Sequence, residues 1–185
     1  FSSENWGRPE AEVDALMTLL EHYLKSEREE ILSNDIRLMH SGDTSALPLR
    51  VQEALAGLEE ASSSCKGMRL NLALSYGSRQ ELIRAFRSLF SQVEAGERDI
   101  LSVNEDAIEA ELYTAGLPEL DLLVRSGGEM RISNFMLWQA AYSEIYVTDT
   151  PWPDFGEEEL LAAISEFNRR QRRYGLTGQQ IEDSL

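Results

Sequence analysis

Two arginines six positions apart, Arg125 and Arg131, flank a glycine pair in a stretch that reads DLLVRSGGEMRISN. Guanidinium groups present planar, paired donors that match the oxygens of a phosphate or a carboxylate. Adjacent glycines allow backbone N–H groups to approach an anion closely. A helix that began at Ser133 or Asn134 would add free N–H groups and a partial positive charge. These residue types therefore predict capture of a phosphorylated ligand.

The same two arginines have a simpler interpretation as ion-pair partners. The chain carries 33 Asp and Glu residues against 17 Lys and Arg residues, so acidic partners are plentiful. Arginine side chains commonly form ion pairs that have a structural role and bind no ligand. Spacing alone therefore favours neither interpretation of Arg125 and Arg131.

Composition excludes some classes of partner and of structure. A net charge of −16 argues against nucleic acid, because binding a phosphate backbone needs a basic surface. Arginines gather around residues 125–131 and 169–173, which indicates a local anion site on an acidic protein. No apolar run reaches the ~18 residues typical of a transmembrane helix. The one cysteine, Cys65, permits no internal disulfide and predicts a reduced thiol in a cytoplasmic protein.

Apolar periodicity places the arginine stretch within an α/β fold. Strands are predicted at residues 36–40, 70–75, 121–125 and 145–148, with helices between them. Strands that alternate with helices favour a mostly parallel central sheet flanked by helices. In such sheets ligands bind beyond the carboxyl ends of the strands, where the loop at 125–131 lies.

The helices are predicted from apolar spacing, from capping residues and from proline or glycine at their ends. Their predicted spans run from Pro9 to about Glu30, from Pro48 to Ala61, over residues 82–93, from Asn104 to Gly116, over residues 135–142 and from Gly156 to Tyr174. The helix over 135–142, FMLWQAAY, is predicted to be buried. The helix over 82–93 is predicted to bury six apolar side chains: Leu82, Ile83, Phe86, Leu89, Phe90 and Val93.

Three stretches resemble motifs of the cis-prenyltransferases, the family of undecaprenyl diphosphate synthase. They are RSGGEMRISNFMLWQAAYSE at residues 125–144, FSSENWGRP at 1–9 and WPDF at 152–155, with weaker matches at 42–45 and 71–79. The resemblance extends from residue 1 to about 175. It implies one α/β catalytic domain over residues 1–175, followed by a polar tail at 176–185.

Members of this family transfer isopentenyl units from isopentenyl diphosphate onto an allylic diphosphate, usually farnesyl diphosphate, and form new cis double bonds. The resemblance implies the same reaction here, with Mg²⁺ as cofactor and a homodimer in the cytoplasm. The implied product is a polyprenyl diphosphate such as undecaprenyl diphosphate, a lipid carrier for cell-wall synthesis. Contact with a membrane surface is expected when this lipid is released. Product length does not follow from the sequence.

The resemblance also assigns roles to particular residues. Those that would bind substrate are Ser2, Ser3, Glu4, Trp6 and Arg8 in a mobile loop, Arg125, Arg131, Ile132 and Ser133 at isopentenyl diphosphate, and Arg173, which reaches the site of the partner subunit. Glu144 would be a ligand of Mg²⁺. Asn5 would assist proton removal, but a neutral amide is a poor base and better suits positioning of a diphosphate or water. Met130 stands where some members have histidine, and its thioether is a poor Mg²⁺ ligand.

Three of these assignments have simpler structural alternatives. Glu144 is also interpretable as a surface acid, and Trp6 as a hydrophobic staple for the helix that follows it. Arg173 belongs to the basic cluster at 169–173, which suits the negative end of a helix dipole equally well. The sequence leaves these alternatives open.

One segment of the family, the phosphate-binding sequence MDGNGRW with its essential aspartate, is absent from these 185 residues. The chain is therefore expected to be a fragment that lacks the first strands of the sheet and folds poorly alone. An alternative is a non-catalytic accessory subunit of a heteromeric enzyme, which would donate Arg173 to its partner. Retention of the substrate and metal residues named above favours the catalytic interpretation.

Overall fold

The computed structural model describes residues 1–170, and in that range it contains six α-helices and four strands. The strands are β1 (Arg37–Ser41), β2 (Arg69–Ala73), β3 (Leu122–Arg125) and β4 (Glu144–Val147). The helices are α1 (Glu10–Ser26), α2 (Arg28–Ser33), α3 (Leu49–Ser62), α4 (Ser78–Glu94), α5 (Glu105–Glu109) and α6 (Glu157–Arg169). Short 3₁₀ turns cover Ser3–Gly7, Thr44–Ala46, Ile100–Ser102 and Trp152–Asp154.

The four strands form two parallel pairs, one in each of the two compact units into which the chain divides. In the first unit, Phe1–Leu117, β1 pairs with β2 so that Leu38 lies opposite Leu70. In the second unit, which begins at Pro118, β3 pairs with β4. The predicted α/β class, the parallel pairing and the four strand positions are confirmed to within a residue or two. The single domain over residues 1–175 stays a prediction.

The core of the first unit lies between α1, α3 and β1. Met17 on α1 and Val51, Leu55 and Leu58 on α3 are buried. The α3 residues recur at spacings of four and three, which keep them on one face of the helix. α3 begins directly after Pro48, as predicted, because proline cannot donate a backbone hydrogen bond and is tolerated at a helix start.

Three of the predicted helices are broken or shorter than predicted, and the one predicted from Asn104 to Gly116 ends at Glu109. The helix after Pro9 breaks at Glu27, which gives α1 and α2 in place of one continuous helix. α6 ends at Arg169, before the predicted end at Tyr174. Its end is set by Arg170, whose extended backbone (φ −85°, ψ 146°) cannot continue an α-helix.

Residues 135–142 form turns, and the prediction of a buried helix there is wrong. Ser133, Asn134 and Met136 have left-handed backbones, with φ of 52°, 60° and 48°, which a right-handed helix cannot accommodate. The N–H of Ala140 donates to the carbonyl of Met136 at 2.8 Å and closes one isolated helical turn. No side chain of this segment is fully buried. Its apolar composition therefore indicated neither its structure nor its burial.

α4 buries a different set of side chains from the one predicted. The buried residues are Ser78, Glu81, Ala85 and Leu89. Phe86 and Phe90 are 68% and 50% exposed, and their rings stack on the surface with centroids 6.2 Å apart. Ile83 is exposed as well. The apolar arc of α4 is wider than the face that its neighbours cover, so only part of it is in the core. None of the helices in residues 1–170 is long and apolar enough to cross a bilayer.

The position of Gly42, directly after β1, generates a prediction about stability. Gly42 has a φ of 125°, and a Cβ built there would overlap the backbone carbonyl oxygen of Leu74. We expect Gly42→Ala to lower the free energy of unfolding by about 3 kcal/mol, because overpacking and backbone strain act together. Urea unfolding followed by circular dichroism would measure the change.

Gly57→Ala is the matched control. Gly57 lies within α3, and a Cβ there would have no heavy atom within 4 Å. Alanine should therefore stabilise the protein by about 0.5–1 kcal/mol, because glycine weakens a helix interior. Equal effects of the two substitutions on the free energy of unfolding would contradict this account of Gly42.

Candidate functional site

The loop after β3 is held by backbone hydrogen bonds to the segment that follows β4. Gly127 N donates to Thr150 O and Gly128 N donates to Thr148 O, both at 2.9 Å. Both glycines have left-handed backbones, with φ of 78° and 71°, which is why two glycines occur here. Their N–H groups are used within the protein. The expectation that these N–H groups bind an anion is therefore wrong.

Arg125 and Arg131 converge on one carboxylate. Arg125 Nη2 lies 2.6 Å from Glu129 Oε2, and Arg131 Nη2 forms an ion pair with the same oxygen. β3 places Arg125 at its carboxyl end, and the glycine turn brings Arg131 back beside it. In the structure, the two arginines form ion pairs with an acidic residue, as the simpler interpretation predicted. The same arrangement also shows that both guanidiniums can reach a single anionic oxygen.

The two guanidiniums determine the ionisation of Glu129. The hydrogen bond from Arg125, and after it the contacts with Arg131, hold the pKa of the Glu129 carboxyl below its ordinary value. Arg125 Nε is buried and donates to no acceptor within residues 1–170. The site thus contains an unused donor beside a carboxylate that is ionised at neutral pH.

Ile132 and Ser133 follow Arg131 directly, but not as the start of a helix. The left-handed backbone of Ser133 turns the chain, and Phe135 N donates to Ile132 O at 3.2 Å. Ser133 is exposed, so its hydroxyl is accessible to a ligand. The predicted contribution of a helix dipole at Ser133 or Asn134 is wrong, because the chain forms turns at this point.

Glu144 lies at the start of β4, at the opposite end of the strand pair from Arg125. The parallel register sets Glu144 against Leu122, the first residue of β3, whereas Arg125 is the last. Glu144 Oε2 accepts a hydrogen bond from Arg170 Nη1 at 2.9 Å. The structure therefore brings Arg125 and Arg131 together and sets Glu144 apart from them, in an ion pair of its own.

The surroundings of Glu144 fit one mode of Mg²⁺ binding. Within residues 1–170, no three His, Cys, Asp or Glu side chains cluster closely enough to enclose a metal ion. Mg²⁺ commonly takes one or two carboxylates and completes its shell with water and substrate phosphates. Glu144 is partly exposed, and its Oε1 accepts no hydrogen bond from the described residues. A single available carboxylate oxygen suits an ion that arrives with a diphosphate.

The loop before α1 is attached to the chain just after β2. Ser2 forms a parallel β-bridge with Tyr76, and Trp6 Nε1 donates to Ser75 Oγ at 2.9 Å. The ring of Trp6 also meets that of Phe1 edge to face, with centroids 4.9 Å apart. This loop therefore lies beyond the carboxyl end of β2, at the kind of strand end where parallel sheets bind ligands.

The side-chain amide of Asn5 has an available donor, Nδ2, but its acceptor, Oδ1, is already bonded. Its Oδ1 accepts a hydrogen bond from Ser2 N at 2.8 Å, as part of the cap of the 3₁₀ turn. Its Nδ2 donates to no acceptor within residues 1–170. An amide in this state can donate a hydrogen bond to an anion or a water, and the role of Asn5 as a positioner stays a prediction.

The other predicted loop residues have local polar partners. Ser3 Oγ donates to Glu4 Oε2 at 3.2 Å, and Arg8 Nη1 pairs with Glu12 Oε1 at 2.7 Å. The Arg8 pair is exposed, so exchange of Glu12 for another anion would cost little free energy. The remaining predicted residue, Arg173, lies outside the described residues.

A buried carboxylate near this loop was not predicted from the sequence. Glu81 is 0% exposed, and its oxygens accept hydrogen bonds from Tyr76 Oη at 2.6 Å and from Tyr113 N at 2.8 Å. It therefore fixes the residue that forms the bridge with Ser2. In the sequence, an acid in the first turn of α4 indicates a partner for the helix dipole, and no spacing signal reveals its burial.

Sequence comparison relates this geometry to named proteins. The family model described as "Putative undecaprenyl diphosphate synthase" matches residues 1–175. The ditrans,polycis-undecaprenyl-diphosphate synthase ((2E,6E)-farnesyl-diphosphate specific) of Vibrio vulnificus strain YJ016 is 46% identical over 182 residues, which make up 98% of this chain and 72% of the relative. An isoprenyl transferase of Geobacter sulfurreducens is 45% identical over 181 residues, or 98% of this chain and 74% of the relative.

Two solved structures of synthases share this fold. Lavandulyl diphosphate synthase from Lavandula x intermedia, solved in complex with dimethylallyl diphosphate, superimposes with a TM-score of 0.91 at 37% identity over 95% of this chain and 76% of that chain. A "probable undecaprenyl diphosphate synthase" from Campylobacter jejuni gives a TM-score of 0.82 at 38% identity, over 95% of this chain and 80% of that chain.

The ionisation of Glu129 tests the arginine pair directly. We expect Arg125→Gln to raise the pKa of the Glu129 carboxyl toward its ordinary value of 4.5, and Arg131→Gln to raise it less, because the Arg125 hydrogen bond is the larger cause. The lowered pKa means that the ion pair stabilises the fold fully above pH 4.5, and that this contribution is lost as the pH falls through the pKa of the folded state. Carbon-13 NMR titration of the glutamate side chains would measure the pKa.

Arg37→Gln provides the control for this titration. Arg37 is exposed at the start of β1, in the other unit, and should leave the Glu129 pKa where it is. If neither Arg125→Gln nor Arg131→Gln changed that pKa, the convergence of the two guanidiniums on Glu129 would not exist in solution.

Proposed function

Because this chain belongs to the cis-prenyltransferase family, that of undecaprenyl diphosphate synthase, we propose that it adds isopentenyl units to farnesyl diphosphate. Each addition would form a cis double bond and lengthen a polyprenyl diphosphate, with undecaprenyl diphosphate as the final product. The name of the Vibrio vulnificus relative specifies farnesyl diphosphate, which supports this primer. The observation that carries the proposal is the convergence of Arg125 and Arg131 on one anionic oxygen.

In this proposal, Arg125 and Arg131 bind the diphosphate of isopentenyl diphosphate. A diphosphate carries more charge and more acceptor oxygens than the Glu129 carboxylate, so it can displace that carboxylate from the two guanidiniums. The buried Nε of Arg125, which has no acceptor within residues 1–170, would gain one. The exposed hydroxyl of Ser133 and the backbone of Ile132 would complete the contacts.

The loop before α1 would serve the bond-forming step. A proton must leave the homoallylic carbon of isopentenyl diphosphate as the new bond forms, so an acceptor oxygen has to be held in place. Asn5 would hold that oxygen, of a diphosphate or a water, through Nδ2, because its Oδ1 is already bonded to the backbone. Arg8 would bind a diphosphate oxygen in exchange for its exposed partner. The remaining loop residues, Ser2, Ser3, Glu4 and Trp6, would close over the substrate.

Glu144 is the residue that would hold Mg²⁺. When bound, this ion neutralises charge on the departing diphosphate. The partial exposure of Glu144 and the availability of its Oε1 support this role. The protein would supply few ligands itself, which is the usual way in which Mg²⁺ is bound together with a phosphorylated substrate.

The proposal extends to assembly and location. We expect a cytoplasmic homodimer in which Arg173 reaches the site of the partner subunit, with contact to a membrane surface when the lipid product is released. Sedimentation velocity would give the oligomeric state. The alternative of an accessory subunit gains no support from the relatives named above, which are described as a synthase and a transferase.

The activity is tested by incorporation of labelled isopentenyl diphosphate by the purified full-length protein, with farnesyl diphosphate as primer. We expect incorporation that depends on Mg²⁺, and chromatography of the dephosphorylated products should show undecaprenol. A shorter or longer product would overturn the proposed product length and leave the reaction type intact. No incorporation with any allylic primer would overturn the activity.

The proposed role of Arg131 yields a kinetic prediction. Arg131→Ala should raise the KM for isopentenyl diphosphate and lower kcat, with a combined loss in kcat/KM of about 10- to 100-fold, because a charge-assisted phosphate contact is removed. Initial rates over a range of isopentenyl diphosphate concentrations would measure both constants.

Arg37→Ala is the matched control for charge. It removes an exposed guanidinium at the start of β1, from a residue that takes no part in the proposed substrate and metal sites. Its kinetic constants should equal those of the unaltered protein. Unchanged constants in Arg131→Ala would remove Arg131 from the substrate site.

A further inference from the structure

Arg170, the residue after α6, joins three groups through one guanidinium. Its Nη1 donates to Glu144 Oε2 and to the carbonyl oxygen of Ile145, each at 2.9 Å. Its Nε pairs with Glu166 Oε1 at 3.3 Å. The side chain is 33% exposed, less than half the value of 72% for its neighbour Arg169. Arg170 therefore links the end of α6 to the start of β4.

Two of the three contacts hold the guanidinium independently of Glu144. The carbonyl of Ile145 belongs to the backbone of β4, and Glu166 lies one helical turn before Arg170. These two contacts do not involve Glu144, so they can hold the guanidinium when Glu144 turns toward another partner. Arg170 is thus a preorganised donor, and Glu144 is the partner that it orients.

The bond to Glu144 uses one of the two carboxylate oxygens. Oε2 accepts from Arg170, whereas Oε1 accepts no hydrogen bond from residues 1–170. A carboxylate with one oxygen bonded to a fixed donor and the other available is the arrangement that metal-ligating carboxylates commonly have. The rotation of the carboxylate about its last bond is restricted, so the available oxygen has a defined direction.

We propose that Arg170 is a positioning residue that orients Glu144, with Oε2 held by the guanidinium and Oε1 directed to the divalent cation that accompanies a diphosphate. This inference rests on the proposed function, because it takes Glu144 as the Mg²⁺ ligand. Repulsion between the guanidinium and the cation opposes the effect, but both side chains are partly exposed and solvent screens that repulsion. The orientation of Glu144 is a direct contact and is not screened in this way.

The test compares three substitutions by two measurements. Arg170→Ala removes the donor, Arg170→Lys keeps the charge and one possible bond to Glu144, and Arg169→Ala is the control. Arg169 pairs with Glu166 at 3.3 Å, as Arg170 does, and forms no hydrogen bond or ion pair with Glu144 among the described residues. The measurements are the Mg²⁺ concentration that gives half-maximal incorporation of isopentenyl diphosphate, and binding of Mn²⁺ to the full-length protein with farnesyl diphosphate, followed by electron paramagnetic resonance.

We expect Arg170→Ala to weaken Mn²⁺ binding and to raise the half-saturating Mg²⁺ concentration by about 10- to 100-fold, the usual cost of losing the partner of a metal ligand. Arg170→Lys should recover part of this loss, and Arg169→Ala should show none of it. The kcat at saturating Mg²⁺ should change less than the Mg²⁺ requirement, because the role is to orient a ligand. If Arg170 only linked α6 to β4, Arg170→Ala would lower the melting temperature and leave the Mg²⁺ dependence unchanged.

Two results would overturn the inference. Unchanged Mn²⁺ affinity in Arg170→Ala would mean that Arg170 has only a structural role. Tighter Mn²⁺ binding would mean that Arg170 competes with the cation for Glu144. Glu144→Gln separates these results from failure of the proposed function. If the unaltered protein incorporates isopentenyl diphosphate and Glu144→Gln weakens Mn²⁺ binding while Arg170→Ala does not, the inference about Arg170 alone fails. If the unaltered protein shows no incorporation, or if Glu144→Gln leaves Mn²⁺ binding unchanged, the premise itself fails.

Discussion

Backbone pairing between β3 and the end of β4 is the constraint on which the candidate site depends. Thr148 N donates to Arg125 O at 2.9 Å, and the two glycine N–H groups that follow Arg125 donate to the carbonyls of Thr148 and Thr150. These bonds fix the path of the chain as it leaves β3, and Arg131 returns to the carboxylate that Arg125 binds. Two guanidiniums are thereby held together on a protein with a net charge of −16. A local pair of this kind can attract an anion although the protein surface as a whole is acidic.

Much of the fold could be predicted because its signals act within a few residues. Pro48 predicted the start of α3, and Asn104 predicted the start of α5, where its side chain accepts from Ala107 N at 3.0 Å. The turns at 135–142 and the exposed face of α4 could not be predicted in this way. Apolar composition says that a surface favours burial, but it does not say which element, if any, covers that surface.

The sequence named residues of the candidate site, but it did not predict which residues they pair with. Motif resemblance named Arg125, Arg131 and Glu144, and each is paired with an opposite charge in the structure. A chain with 33 acidic residues offers many partners for each arginine, and the choice among them depends on distances that the fold alone determines. The pairing of Glu144 with Arg170, 26 positions away, is of this kind.

A carboxylate tethered between the two guanidiniums affects turnover as well as binding in the proposed reaction. Glu129 lies on the same loop as Arg125 and Arg131, so its effective concentration at the site is high and any diphosphate must compete with it. Repeated condensation requires this site to be emptied after each addition, because the next isopentenyl diphosphate binds in the same place. A tethered competitor weakens binding of the ground state, and tight ground-state binding does not accelerate a chemical step. The ion pair that argues for a structural role of the arginines therefore also suits a site that must release its ligand as often as it binds one.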